Sequence, residues 1–96
     1  MLILICYYVA TTEKAGQKRL RRVARACQDY GQRAQNSVFE CRVGKTQWTI
    51  LRERLLQEMK TDEDSIRFYF LDSDVNIEHH GIKKPINLEE PLILST

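Results

Sequence analysis

Apolar positions follow two rhythms along this chain. Leu2 to Val9 is a nearly unbroken apolar run of strand length, rich in branched and aromatic side chains, and it reads as a strand buried on both faces at the centre of a sheet. Tyr7 and Tyr8 stand at its C-terminal end, on the most rigid part of the molecule. After Thr12, placed to cap a helix, Leu20, Val23, Ala24, Cys27 and Tyr30 recur at helical spacing. They predict a helix to about Tyr30 with Gly31 as its stop signal.

Period-two alternation then takes over. Phe39, Cys41 and Val43 alternate with Val38, Glu40 and Arg42, the pattern of a strand with one face on a core. The half before it, with Arg33, Gln35, Asn36 and Ser37, is polar and reads either as turn chemistry or as part of a site beside the first strand's end. Trp48, Leu51, Leu55 and Met59 predict a second helix, capped by Thr46 and running to about Lys60. Ser65 to Leu71 alternates again, and a short strand is expected from about Val75 to His80, with Glu78 exposed.

A βαββαβ order needs the stretch from Gln32 to Val43 to be one long strand or two short ones meeting near Asn36 and Ser37. In either form two helices cover one face of an antiparallel sheet, an α+β sandwich of ferredoxin-like kind. The other face would be bare in a monomer, and a two-fold dimer stacked through it would cover it. Residues 1–81 form this domain. Residues 82–96 carry the apolar triplet Leu92, Ile93 and Leu94, which predicts an additional strand on a sheet edge of this protomer or of a partner.

Composition narrows the classes. Ninety-six residues suit one domain, and no segment reaches the roughly 18 to 20 apolar residues of a membrane span. No signal peptide is evident, and a cytoplasmic protein is expected. Cys6, Cys27 and Cys41 are odd in number and widely spaced, favouring buried thiols over metal ligands or disulfides. Net charge is only +2, yet residues 1–45 hold nine Lys/Arg against three Asp/Glu, and residues 46–96 hold six against ten. Lys14, Lys18, Arg21, Arg22 and Arg25 share the exposed side of the first helix at about 100° per residue, with Arg19 beside them. This face suits phosphates; the alternative is an ordinary solvated helix surface.

No nucleotide loop, nucleophile elbow or zinc-protease motif is present. Asp72 and Asp74 could bind a metal as a DxD pair but fit a turn better. His79 and His80 are adjacent in a strand and face opposite sides.

Tyr7-Tyr8-Val9, Arg19-Leu20-Arg21-Arg22-Val23-Ala24, Tyr30-Gly31-Gln32-Arg33, Gln35-Asn36-Ser37-Val38-Phe39-Glu40, Ser65-Ile66-Arg67-Phe68-Tyr69 and Glu78-His79-His80-Gly81 together resemble the small CRISPR-associated subunit of the spacer-acquisition pair, a family of endoribonucleases. The resemblance covers almost the whole chain and is most specific from Gly31 to Glu40. It implies a ferredoxin-like homodimer whose C-terminal segment extends the partner's sheet, and an integrase subunit as partner. Double-stranded DNA or RNA is the implied ligand, and Mg²⁺-dependent cleavage the implied activity. It also implies a catalytic neighbourhood of Arg33, Ser37 and Phe39 around a strand-end aspartate that holds Mg²⁺. At that position this chain has Tyr8, a neutral phenol in place of a hard carboxylate ligand. Nucleic-acid binding by Lys14, Lys18, Arg19, Arg21, Arg22 and Arg25 survives this departure, whereas metal-dependent cleavage is weakened. A stand-alone metal-dependent ribonuclease of toxin type is the alternative reading.

Overall fold

The computed structural model describes residues 1–72 and 76–82. Its elements are β1 (Leu2–Tyr8), α1 (Lys14–Tyr30), β2 (Gly31–Gln35), β3 (Val38–Arg42), α2 (Lys45–Glu58), β4 (Ser65–Phe70) and β5 (Asn76–Gly81). All strand pairs are antiparallel, in the order β2-β3-β1-β4-β5. This is the ferredoxin-like arrangement with β5 added beside β4. The long polar-then-alternating stretch resolves as two strands hairpinned at Asn36 and Ser37. The additional strand expected from residues 82–96 lies outside the described residues, apart from Ile82.

The central place of β1 follows from its composition. Ile3, Ile5 and Tyr7 point to the helices and join Phe39, Cys41, Ile66 and Phe68 from the neighbouring strands. Val23 and Cys27 of α1 and Trp48, Leu51 and Leu55 of α2 close this core from above. Each large side chain buried there contributes about 1.5–3 kcal/mol by area. Trp48 sets its indole edge-on to Phe68, with centroids 4.8 Å apart, a favourable aromatic geometry. The opposite face carries Leu4, Cys6 and Tyr8 of β1 beside Val38 and Glu40 of β3, Arg67 and Tyr69 of β4, and Ile77 and His79 of β5. Leu4 is buried even here, between Glu40 and Tyr69. The helices cover only one face of β1.

Several boundaries differ from expectation for identifiable reasons. The residue before α1 is Glu13, not Thr12, and no side chain caps it. Helix α2 starts after Gly44 rather than Thr46, and Gln47 Oε1 accepts the Gly44 N–H at 3.1 Å. Gly31 does not stop α1 by a left-handed turn; its φ of −160° is extended and the chain passes straight into β2. Glycine is required there by proximity, because a Cβ would lie 2.4 Å from Glu40 O and 2.5 Å from Cys41 Sγ. Gly81 is the position where a positive φ of 98° does occur, against the Asp64 carbonyl.

Candidate nucleic-acid interface and strand-end site

Tyr7 and Tyr8 divide the strand end between the two faces of the sheet. Tyr7 pairs with Ile66 and Tyr8 with Ser65 in the register to β4, and successive residues of a strand face opposite sides. Tyr7, 6% exposed, stacks on Phe39 with centroids 6.2 Å apart and an interplanar angle of 18°. The guanidinium of Arg33 lies 4.8 Å over the same Phe39 ring and donates to the carbonyl of Asn36. Tyr7 N–H donates to Ser37 O at 3.0 Å. The hairpin tip is thereby tied to the end of β1, with Asn36 and Ser37 forming the turn that the polar stretch also suggested. Burial pushes the Tyr7 phenol up to about 12, with Cys27 adding and Arg33 opposing. Arg33, Ser37 and Phe39 thus assemble around Tyr7, not Tyr8.

Tyr8 is half-buried on the other face, with Ser65 opposite it and Cys6 and Arg67 in the next row. Magnesium takes oxygen ligands at near-octahedral geometry and is held in proteins by one or more carboxylates. The residues around Tyr8 offer a phenol, a hydroxyl, a thiol and a guanidinium. Asp64, which directly precedes Ser65, is taken up by three donor residues described below. Among the described residues no group of three His, Cys, Asp or Glu is placed to hold a metal ion. This donor set does not fit Mg²⁺.

On α1 the basic residues separate into two kinds. Lys14, Lys18 and Arg21 are exposed and make no ion pair or hydrogen bond among the described residues. Arg22 pairs with Glu58 of α2. Arg25 reaches Asp29 at 3.5 Å, and Asp29 also receives Arg54 of α2 at 2.8 Å. The hydrogen bond from Arg54, then Arg25, holds the Asp29 carboxyl below the usual carboxylate range. At a 1.5 Å rise, Lys14, Lys18, Arg21 and Arg25 lie about 6, 4.5 and 6 Å apart along the outer ridge of the helix.

Arg19 sits apart from this ridge. Its side chain is 11% exposed, and it donates from Nε to Asp64 Oδ2 at 2.9 Å and from Nη2 to Asp64 Oδ1 at 3.1 Å. Asp64 is wholly buried and also accepts the backbone N–H of Ala10 at 3.1 Å and of Lys60 at 2.8 Å. Burial alone would raise its pKa, but the hydrogen bonds from Arg19, Lys60 and Ala10 outweigh it and hold the carboxyl below its ordinary value. The carbonyl of Asp64 accepts Ile82 N–H at 2.9 Å.

Other chemistry-bearing residues are occupied structurally. Glu78, expected to be exposed, is half-buried on the helix side of β5, where Arg52 Nε donates to its Oε2 at 2.9 Å and His80 also reaches it. These contacts, Arg52 first, lower its pKa. His79 faces the opposite side: Arg67 Nε donates to its Nδ1 at 3.0 Å, so Nε2 carries the proton and donates to Gly81 O at 3.1 Å. Asp72 accepts Leu2 N–H at 3.0 Å, a tie at the start of β1; Asp74 lies outside the described residues. Cys6, Cys27 and Cys41 are free thiols. Asp64 and Glu78 escaped sequence reasoning because their cationic partners, Arg19 and Arg52, are 45 and 26 positions away. The one signal for Asp64 was its place at the end of an acidic turn, directly before a buried strand.

Comparison with known proteins agrees with the fold. The family model for the CRISPR associated protein Cas2 matches residues 1–76. The chain is 54% identical over 96 residues to a CRISPR-associated endoribonuclease Cas2 of Chlorobaculum tepidum, covering 98% of this chain and 100% of the relative. It is 52% identical over 95 residues to a CRISPR-associated endonuclease Cas2 of Halalkalibacterium halodurans, covering 97% and 99%. The crystal structure of Streptococcus pyogenes Cas2 at pH 6.5 superimposes with a TM-score of 0.70 at 50% identity, over 77% of this chain and 89% of that one. The chain belongs to the Cas2 family. No helix among the described residues is long and apolar enough to cross a membrane.

Proposed function

We propose that this protein is a nucleic-acid-binding subunit of CRISPR spacer acquisition. It acts as a homodimer that bridges integrase subunits, with metal-dependent cleavage impaired by Tyr8. The observation that carries the binding role is the ridge of Lys14, Lys18 and Arg21, three exposed cations without intramolecular partners among the described residues. Like charges at this spacing repel by some tenths of a kcal/mol per pair. A polyanion that neutralises them removes that cost and releases its own counterions. A two-fold dimer stacked through the open sheet face would present the ridge twice on one rigid body, suited to the phosphates of a duplex without reading its sequence. The names of the relatives support nuclease ancestry, and the donor set at Tyr8 supports its loss here.

Fluorescence anisotropy with a random-sequence duplex over a range of salt concentrations tests the binding role. Each ridge cation changed to Gln should weaken binding and lower the salt slope of the dimer by about 1.8, about 0.9 for each of its two copies. Binding by a Lys14→Gln, Lys18→Gln, Arg21→Gln triple variant with the wild-type affinity and slope would refute it.

A further inference from the structure

We infer that Arg19 is a positioning residue rather than a phosphate contact: locked to the buried Asp64, it fixes the basic helix against the end of β1. The inference rests on the ridge reading above and specifies how the ridge is held.

The geometry is that of a junction. Asp64 receives N–H groups from three parts of the chain: Ala10, two residues beyond Tyr8; Lys60, after α2; and the Arg19 guanidinium from α1. The two nitrogens of Arg19 meet the two oxygens of Asp64, the fork arrangement that sets orientation as well as distance. Arg19 Nη2 also reaches Glu63 Oε2 at 3.3 Å. Arg19 is one residue from Lys18 and two from Arg21, so whatever turns its backbone turns the ridge. The close approach of the same helix repeats this control: a Cβ on Gly16 would lie 1.8 Å from Ala10 O. The loop that follows Tyr8 and the first turns of α1 are therefore set by one another, with the carboxylate at their meeting point. A guanidinium so enclosed has few donors left for an external phosphate.

Charge and geometry make opposite predictions, which allows a clean test. Asp64→Asn removes a negative charge, and long-range electrostatics alone would tighten duplex binding. If Arg19 were a latent phosphate contact, releasing it would tighten binding further. The positioning role requires the reverse. Asp64→Asn should weaken duplex affinity by about fivefold or more, the low end of coupling between sites, despite the gain of positive charge. Arg19→Lys, which keeps the charge but not the fork, should weaken it similarly, and the double variant should bind no worse than the poorer single one. Arg19→Lys carries the test alone if Asp64→Asn does not fold. Wild-type affinity in Arg19→Lys, or tighter binding in Asp64→Asn, overturns the inference. If the wild-type protein shows no salt-dependent duplex binding, the ridge reading fails, and the lock is judged by amide exchange without nucleic acid. Lost protection at Ala10 and Lys60 in Arg19→Lys upholds it, and unchanged protection there overturns it.

Discussion

Tyr7 and Tyr8 are neighbours in the chain and lie on opposite faces of the sheet, Tyr7 stacked on Phe39 in the core and Tyr8 across from Ser65 on the open face. The neighbourhood of Arg33, Ser37 and Phe39 therefore supports Tyr7 directly and Tyr8 only through the backbone. The hairpin holds the strand end through Tyr7 and leaves Tyr8 on the open face.

This division gives the hairpin a measurable latch. Arg33 covers Phe39 and holds the Asn36 carbonyl, so Arg33→Ala should lower stability by about 0.5–1 kcal/mol, the usual worth of an exposed cation–π contact. Urea denaturation checks this. Because Arg33 does not touch the open face, the folded Arg33→Ala variant should dimerise like the wild type in sedimentation.

The Asp64 junction predicts an acid-sensitive fold. Its pKa is depressed in the folded state, so its stabilisation is complete above the unfolded value near 3.9. It is lost as the pH falls through the lower folded value. Glu78, held down by Arg52, acts with the same sign. Asp64→Asn should cost about 3 kcal/mol at pH 7, near the low end for breaking a buried ion pair, because Arg19 retains Glu63 and some solvent. The variant should also lose stability less steeply than the wild type as pH drops below about 4. Urea titrations between neutral and acid pH measure both effects.

The thiols should be inert in the native protein. Burial pushes Cys6 and Cys41 up to about 11 and raises Cys27 as well. Thiolate fractions at pH 8 are then about a thousandth for a group at 11. Alkylation with iodoacetamide should be slow in native buffer and reach three thiols per chain in denaturant. Rapid native modification of Cys27 would show that α1 does not pack as described.

The pattern of apolar positions was enough to place both helices and β1, β3 and β4, because a period of two or of 3.6 follows directly from which side chains meet the core. It left open whether residues 31–43 form one strand or two. In β2 the burial alternation is weak, with Gln32 and Arg33 both exposed, so no period marks the strand. Gly31 carried a misleading signal: its role is close approach to Cys41, which depends on a pairing invisible in a local window. Arg19 looked like one more cation of the basic face. At about 100° per residue it lies roughly 140° around the helix from Lys14, close to the buried side, and only the fold brings Asp64 beneath it. The split between Tyr7 and Tyr8 was legible in principle, since strand alternation alone separates them. What could not be read was which of the two the hairpin would embrace.

We propose that the ridge on α1 binds nucleic acid while Tyr8 removes the means to hold a catalytic cation. Cleavage of RNA and duplex DNA with and without Mg²⁺, measured for the wild type beside Tyr8→Asp while duplex binding is followed in EDTA, tests it most directly. The wild type should bind without Mg²⁺ and show no Mg²⁺-dependent cleavage above background, and Tyr8→Asp should gain such cleavage. Equal, robust Mg²⁺-dependent cleavage by both proteins would contradict it.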